Sequence, residues 1–131
     1  MSLPPEAIAD AQVVLHLEVE VSPVRRDDFL EFCRRAFPVY ESVGGCRMAL
    51  YEDPAKPGRF FETGYYRAEA DYARAERALE EDPAQAALIK EWRALLAAPP
   101  RVSVIRLRQS PRSLGPRDRG PLIARHRRCR A

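Results

Sequence analysis

The order strand, helix, two strands, helices, strand predicts an α+β domain on the ferredoxin-like βαββαβ plan, with helices on one face of a four-stranded antiparallel sheet. Three observations carry that prediction. Residues 12–21 alternate between apolar and polar side chains, residues 44–66 read as two strands joined by a turn-rich loop, and the segments flanking that pair carry apolar residues at helical spacing.

The first strand is the clearest. Val13, Leu15, Leu17, Val19 and Val21 form one face, and Val14, His16, Glu18 and Glu20 the other, as a half-buried strand requires. Ser22-Pro23 supplies an N-cap and a first-turn proline for a helix in which Phe29, Cys33, Ala36, Phe37 and Tyr40 share a face. Pro38 falls inside that helix and is expected to kink or divide it. Gly44-Gly45 stops it. Cys46 to Glu52 and Arg59 to Tyr66 are the central strands, and the turn residues of Asp53-Pro54-Ala55-Lys56-Pro57-Gly58 make a connection longer than a tight hairpin. Tyr72, Ala75 and Leu79 then begin a helical stripe. Asp82-Pro83 starts a second helix, with Leu88, Ile89, Trp92, Leu95 and Leu96 as its apolar face, and Pro99-Pro100 precedes the last strand, Arg101 to Leu107.

At 131 residues there is room for one domain, assigned to residues 1–107, followed by a basic tail at 108–131. The net charge of +3 conceals this division: the tail carries +7 and the remainder −4. With three prolines, two glycines and few core-forming residues, the tail is not expected to pack on its own. Its arginines could grip nucleic acid or an anionic surface. Without interleaved aromatics for base stacking, a solvated appendage is the preferred reading.

No apolar run is long enough to span a bilayer and the start has no secretory pattern, so the expected location is the cytoplasm. Cys33, Cys46 and Cys129 form no metal-binding or disulfide spacing and read as two core residues and a tail thiol. No glycine-rich phosphate loop and no Ser/His/Asp set is present. Trp92, on a stripe with leucines, reads as core. Glu80-Glu81-Asp82 reads as acidic residues complementing a helix dipole, not as a metal site.

In a sheet with helices on one face, the other face needs a cover, and a homodimer packing sheet against sheet supplies it. The more apolar face of the first strand belongs under the helices. His16 and Glu18 are then expected between the sheets.

The stretch from Val14 to Leu107 resembles the antibiotic biosynthesis monooxygenase family of dimeric α/β barrels. The resemblance lies in Asp28-Phe29-Leu30 at a helix start, Gly45-Cys46 entering a strand, and Asp53-Pro54 with Pro57-Gly58-Arg59-Phe60 in the hairpin. Ala70-Asp71-Tyr72 after the third strand and the closing Pro99-Pro100-Arg101-Val102 extend it. Phe60-Phe61-Glu62-Thr63 is also similar to the soluble C-terminal domain of some major-facilitator exporters. The resemblance implies a homodimer enclosing a cavity for a planar organic molecule. Some members oxidise phenolic or quinol-like substrates with oxygen and neither metal nor flavin, and others degrade haem. Where oxidising and haem-degrading members commonly have tryptophan, this chain has Tyr66. Around Ala75 and Glu76, where a histidine often follows in the family, it has none, which argues most against haem chemistry.

Strand alternation then nominates a site. His16, Glu18, Arg47, Tyr51, Glu62 and Tyr66 are expected to line the cavity, with Phe60 on the face of Glu62 and Tyr66. His16, Glu18 and Tyr66 are the catalytic candidates, and Arg47, Tyr51, Phe60 and Glu62 the substrate-binding ones. A neutral histidine near a carboxylate can deprotonate a phenol, and an arginine can stabilise the anion. The competing reading pairs these charges with one another inside the dimer or leaves them facing water. Two functions follow: a cofactor-independent monooxygenase acting on a small phenolic, quinol or polyketide-like molecule, or a non-catalytic dimeric ligand-binding or transporter-accessory domain.

Overall fold

A computed structural model describes residues 10–108. The expected Arg/Pro-rich tail lies outside them except for Arg108, and so does the beginning of the chain. The elements are β1 (Val13–Glu20), α1 (Arg26–Glu41), β2 (Cys46–Glu52), β3 (Arg59–Tyr66), α2 (Glu69–Glu81), α3 (Pro83–Leu95) and β4 (Arg101–Arg106). One antiparallel sheet runs in the order β2-β3-β1-β4, giving the ferredoxin-like α+β arrangement.

Local chemistry accounts for the boundaries and for two departures. Ser22 is extended but makes no side-chain cap bond, and Pro23–Arg25 form a single 3-10 turn before α1 begins at Arg26. Of the two outcomes expected at Pro38, a kink or a division, the division does not occur: the helix runs on through it. Pro38 sits in the final turn, so little helix follows it, and its own carbonyl accepts from Ser42 N–H at 3.0 Å. Asp82 serves as C-cap of α2 and N-cap of α3. Its side chain accepts from Ala84 N–H at 2.9 Å, as the Asp-Pro pair predicts.

The hairpin loop is braced against α1. Arg26 donates to both Glu52 oxygens, at 3.0 and 2.6 Å, while Gly58 N–H donates to Oε2 at 3.0 Å. The Arg26 guanidinium, aided by that backbone bond, holds the Glu52 carboxyl down to about 2.

Pairing places Val13, Leu15, Leu17 and Val19 opposite Tyr66, Gly64, Glu62 and Phe60. These residues share the helix-covered face with Cys46, Met48, Leu50 and Glu52 of β2. Two apolar clusters fill the space beneath the helices. The larger joins Val19, Phe29, Phe32, Cys33, Ala36, Phe60 and Trp92; the smaller joins Val13, Cys46 and Tyr66, with Tyr72 and Ala75 packed on it. The opposite face carries no helix, and Tyr51 and Ile105 are 51 and 53 % exposed there. Edge strand β4 is exposed throughout.

Candidate functional site

Glu62 is the residue least expected at its position. It stands in the middle of β3 on the helix-covered face, opposite Leu17 and Leu50, and is 2 % exposed. The Trp92 indole N–H donates to Oε2 at 2.6 Å, and the Cys33 thiol faces Oε1 at 3.9 Å. Neither neighbour carries a charge. Removal from water therefore outweighs the two hydrogen bonds, and the Glu62 carboxyl is pushed up to about 7. Burial likewise raises the Tyr40 and Tyr66 phenols above their usual range.

The carboxylate borders a cavity of about 70 Å³ that opens between the two apolar clusters. Its floor is the sheet, through Leu15, Leu17, Met48, Glu62 and Tyr66. Tyr40 closes one side, and the roof is Ala75 and Leu79 of α2 with Gln85, Ile89 and Trp92 of α3. Gly64 keeps the floor low: a Cβ there would meet the Tyr66 ring at 3.0 Å and Met48 Sδ at 3.2 Å. The lining is apolar apart from a few polar groups, the usual composition of a small-molecule site.

The nominated residues do not share one cavity. Glu62 and Tyr66 line this one, and Phe60 is buried beside it in the larger cluster. His16, Glu18, Arg47 and Tyr51 lie on the opposite, helix-free face. The grouping fails on register: His16 stands opposite Thr63, so the His16 face of β1 continues into the odd-numbered residues of β3 and away from Glu62 and Tyr66. On that face His16 stacks on Phe61, with centroids 5.4 Å apart, and Glu18 is ion-paired with Arg59. Arg59 hydrogen bonding holds the Glu18 carboxyl below its usual range. The partner of Glu18 is thus Arg59, a residue outside the nominated set. The Tyr51 hydroxyl lies 3.3 Å from that of Tyr65.

With the geometry established, comparison with solved structures places the fold. SnoaB from Streptomyces nogalater, a cofactor-independent oxygenase, superposes in variant form with a TM-score of 0.64 and 16 % identity, over 77 % of this chain and 97 % of that one. An antibiotic biosynthesis monooxygenase gives 0.61 and 14 %, over 74 % and 99 %. Rv0793 from Mycobacterium tuberculosis gives 0.63 and 17 %, over 76 % and 97 %. The chain has the fold of the antibiotic biosynthesis monooxygenases. No protein-family model and no curated protein sequence matches it. Among the described residues no helix is long and apolar enough to cross a membrane.

Within this monooxygenase fold, sequence reasoning missed Trp92, Tyr40 and Gln85 as cavity residues. Trp92 is core, as its leucine stripe indicates, yet its one polar atom is spent on Glu62. A buried indole N–H needs an acceptor, so a carboxylate in a neighbouring strand was the signal available. Since Trp92 is the single tryptophan of the chain, its fluorescence reports directly on this carboxylate. Its emission is expected to titrate with a midpoint of about 7 in the wild type and to be flat across that range in Glu62→Gln. A titration surviving in Glu62→Gln would assign the transition to another group.

Proposed function

We propose that the chain is a monooxygenase needing no bound cofactor, and that it acts on a small phenol or enol in the cavity between sheet and helices with Glu62 as the base. The supporting observation is a carboxylate of near-neutral pKa buried at the wall of an apolar cavity. A base tuned close to the working pH combines a useful ionised fraction with sufficient driving force for proton transfer. Tyr40 and Tyr66 remain protonated and do not compete for the substrate proton.

In this reading Glu62 takes the hydroxyl proton, and the resulting anion passes one electron to O2. The two radicals join at the activated methylene carbon of the keto tautomer, and the proton held by Glu62 passes to the peroxide, giving a hydroperoxide and restoring the carboxylate. Loss of that carbon's remaining proton with cleavage of the O–O bond leaves a carbonyl. One oxygen atom stays in the product and the other departs as water; the four electrons come from the substrate. The description of SnoaB as a cofactor-independent oxygenase supports this class of chemistry. The cavity volume favours a single ring over a polycyclic polyketide-like skeleton, since benzene occupies an apolar cavity of roughly 150 Å³ and this one must widen even for that.

A cytoplasmic homodimer belongs to the same reading. The exposed Tyr51 and Ile105 favour burial against a second copy, which would leave His16, Glu18, Arg47 and Tyr51 between the two sheets, on the other side of β1 and β3 from Glu62. Oxygen uptake with a panel of small phenols, quinols and anthrones tests the activity. Saturable uptake with a single-ring member is the expected result. Binding without uptake across the panel would establish the non-catalytic ligand-binding alternative, and absence of both would remove the cavity from consideration.

A further inference from the structure

Gln85 is 3 % exposed, lines the cavity, and its side-chain amide makes no hydrogen bond to any described residue. Its place in the sequence offered it one. Asp82-Pro83-Ala84-Gln85 has the spacing of a capping box, in which the glutamine would reach back to the Asp82 N–H. That N–H instead donates to Ala78 O at 3.0 Å, because α2 runs directly into α3 at this residue. Of the other polar groups of the lining, the Glu62 carboxylate already accepts from Trp92 and faces Cys33, and neither it nor the Tyr40 and Tyr66 hydroxyls makes a hydrogen bond to Gln85. Two amide N–H donors and one carbonyl acceptor are thus buried at a cavity wall without partners among the described residues. Buried amides are normally satisfied, so an orphan beside an open space points to a molecule that enters that space.

We propose that Gln85 is the second polar anchor of this cavity, and that the ligand carries two oxygens: an acidic hydroxyl for Glu62 and a carbonyl that accepts from the Gln85 amide. The ligand class is a compact hydroxy-carbonyl compound. A donor at the carbonyl oxygen also favours the anion formed at the hydroxyl, because its charge spreads onto that oxygen. The inference rests on the cavity being the ligand site but not on turnover.

Calorimetric titration of the full chain with phenol, benzaldehyde and the three hydroxybenzaldehydes tests it. At least one hydroxybenzaldehyde is expected to bind about tenfold more tightly than phenol or benzaldehyde, and Gln85→Leu is expected to reduce it to the affinity of phenol. Without ligand, Gln85→Leu and Gln85→Met should each raise the thermal midpoint by about 5 °C, since an unpaired buried amide is replaced by an apolar group of similar size. A lowered midpoint in both variants, or equal hydroxybenzaldehyde affinity in wild type and Gln85→Leu, would overturn the assignment. Unaltered oxygen uptake in Glu62→Gln would sink the base reading while leaving Gln85 as an anchor. Failure of every probe to bind the wild type would remove both.

Discussion

Glu62→Gln is expected to lower oxygen uptake by about 10²–10⁴-fold while making the protein more stable than the wild type at pH 8. The opposite signs are the diagnostic point. A carboxylate kept for structure would cost stability when replaced, whereas one kept for chemistry is held against the preference of the fold. In the unfolded chain the carboxyl titrates near its ordinary 4.5; in the folded protein burial raises it to about 7. Between those values the folded state retains a proton that the unfolded state has released. Stability therefore falls as pH rises through that window and is level above it, by about 3 kcal/mol in all. Glutamine keeps an oxygen for the Trp92 N–H but carries no charge, so this part of the profile should vanish. Urea midpoints at pH 5 and pH 8 measure the difference: the variant should gain on the wild type only at the higher pH. A similar loss of stability at both values would reassign Glu62 to packing, and unaltered uptake would end its role as base.

Most of the fold was legible because its punctuation is chemical. Asp53 to Gly58 and Gly44-Gly45 bound β2 and β3, whose ends agree with expectation, and Asp82-Pro83 separates α2 from α3. The site was only half legible, and the reason is specific to β3. Val13, Leu15, Leu17 and Val19 contrast sharply with their neighbours and reveal which face of β1 is buried. In β3 the two alternating sets are Phe60, Glu62, Gly64, Tyr66 and Arg59, Phe61, Thr63, Tyr65; each holds aromatics, a charge and a small residue. Composition cannot rank them. Only the register with β1 assigns Glu62 to the core, and that register is a tertiary fact. Periodicity likewise found the stripe bearing Trp92 but not the carboxylate it meets.

The roof of the cavity depends on a contact distant from Glu62, and Gly45→Ala should expose it. Gly45 has φ +66, where a Cβ costs about 1–2 kcal/mol, and that Cβ would lie 2.3 Å from both Cγ and Oδ1 of Asp71. Asp71 has little freedom to retreat. It is 5 % exposed in the first turn of α2, ion-paired with Arg74, and 3.7 Å from Arg67 Nε. Arg67 N–H in turn donates to Gly45 O at 2.9 Å. Overpacking adds about 1–3 kcal/mol, so a total loss of about 2–5 kcal/mol is expected, a large fraction of the stability of a domain this size. The strain must be relieved by moving α2, which carries Ala75 and Leu79 over the cavity. Gly45→Ala should therefore shift Trp92 emission toward that of a solvated indole as well as lower the unfolding midpoint. Adding Asp71→Ala removes the clashing atoms and should recover part of the midpoint despite the lost ion pairs. A double variant less stable than Gly45→Ala alone would show that backbone conformation, and not the Asp71 contact, makes glycine necessary there.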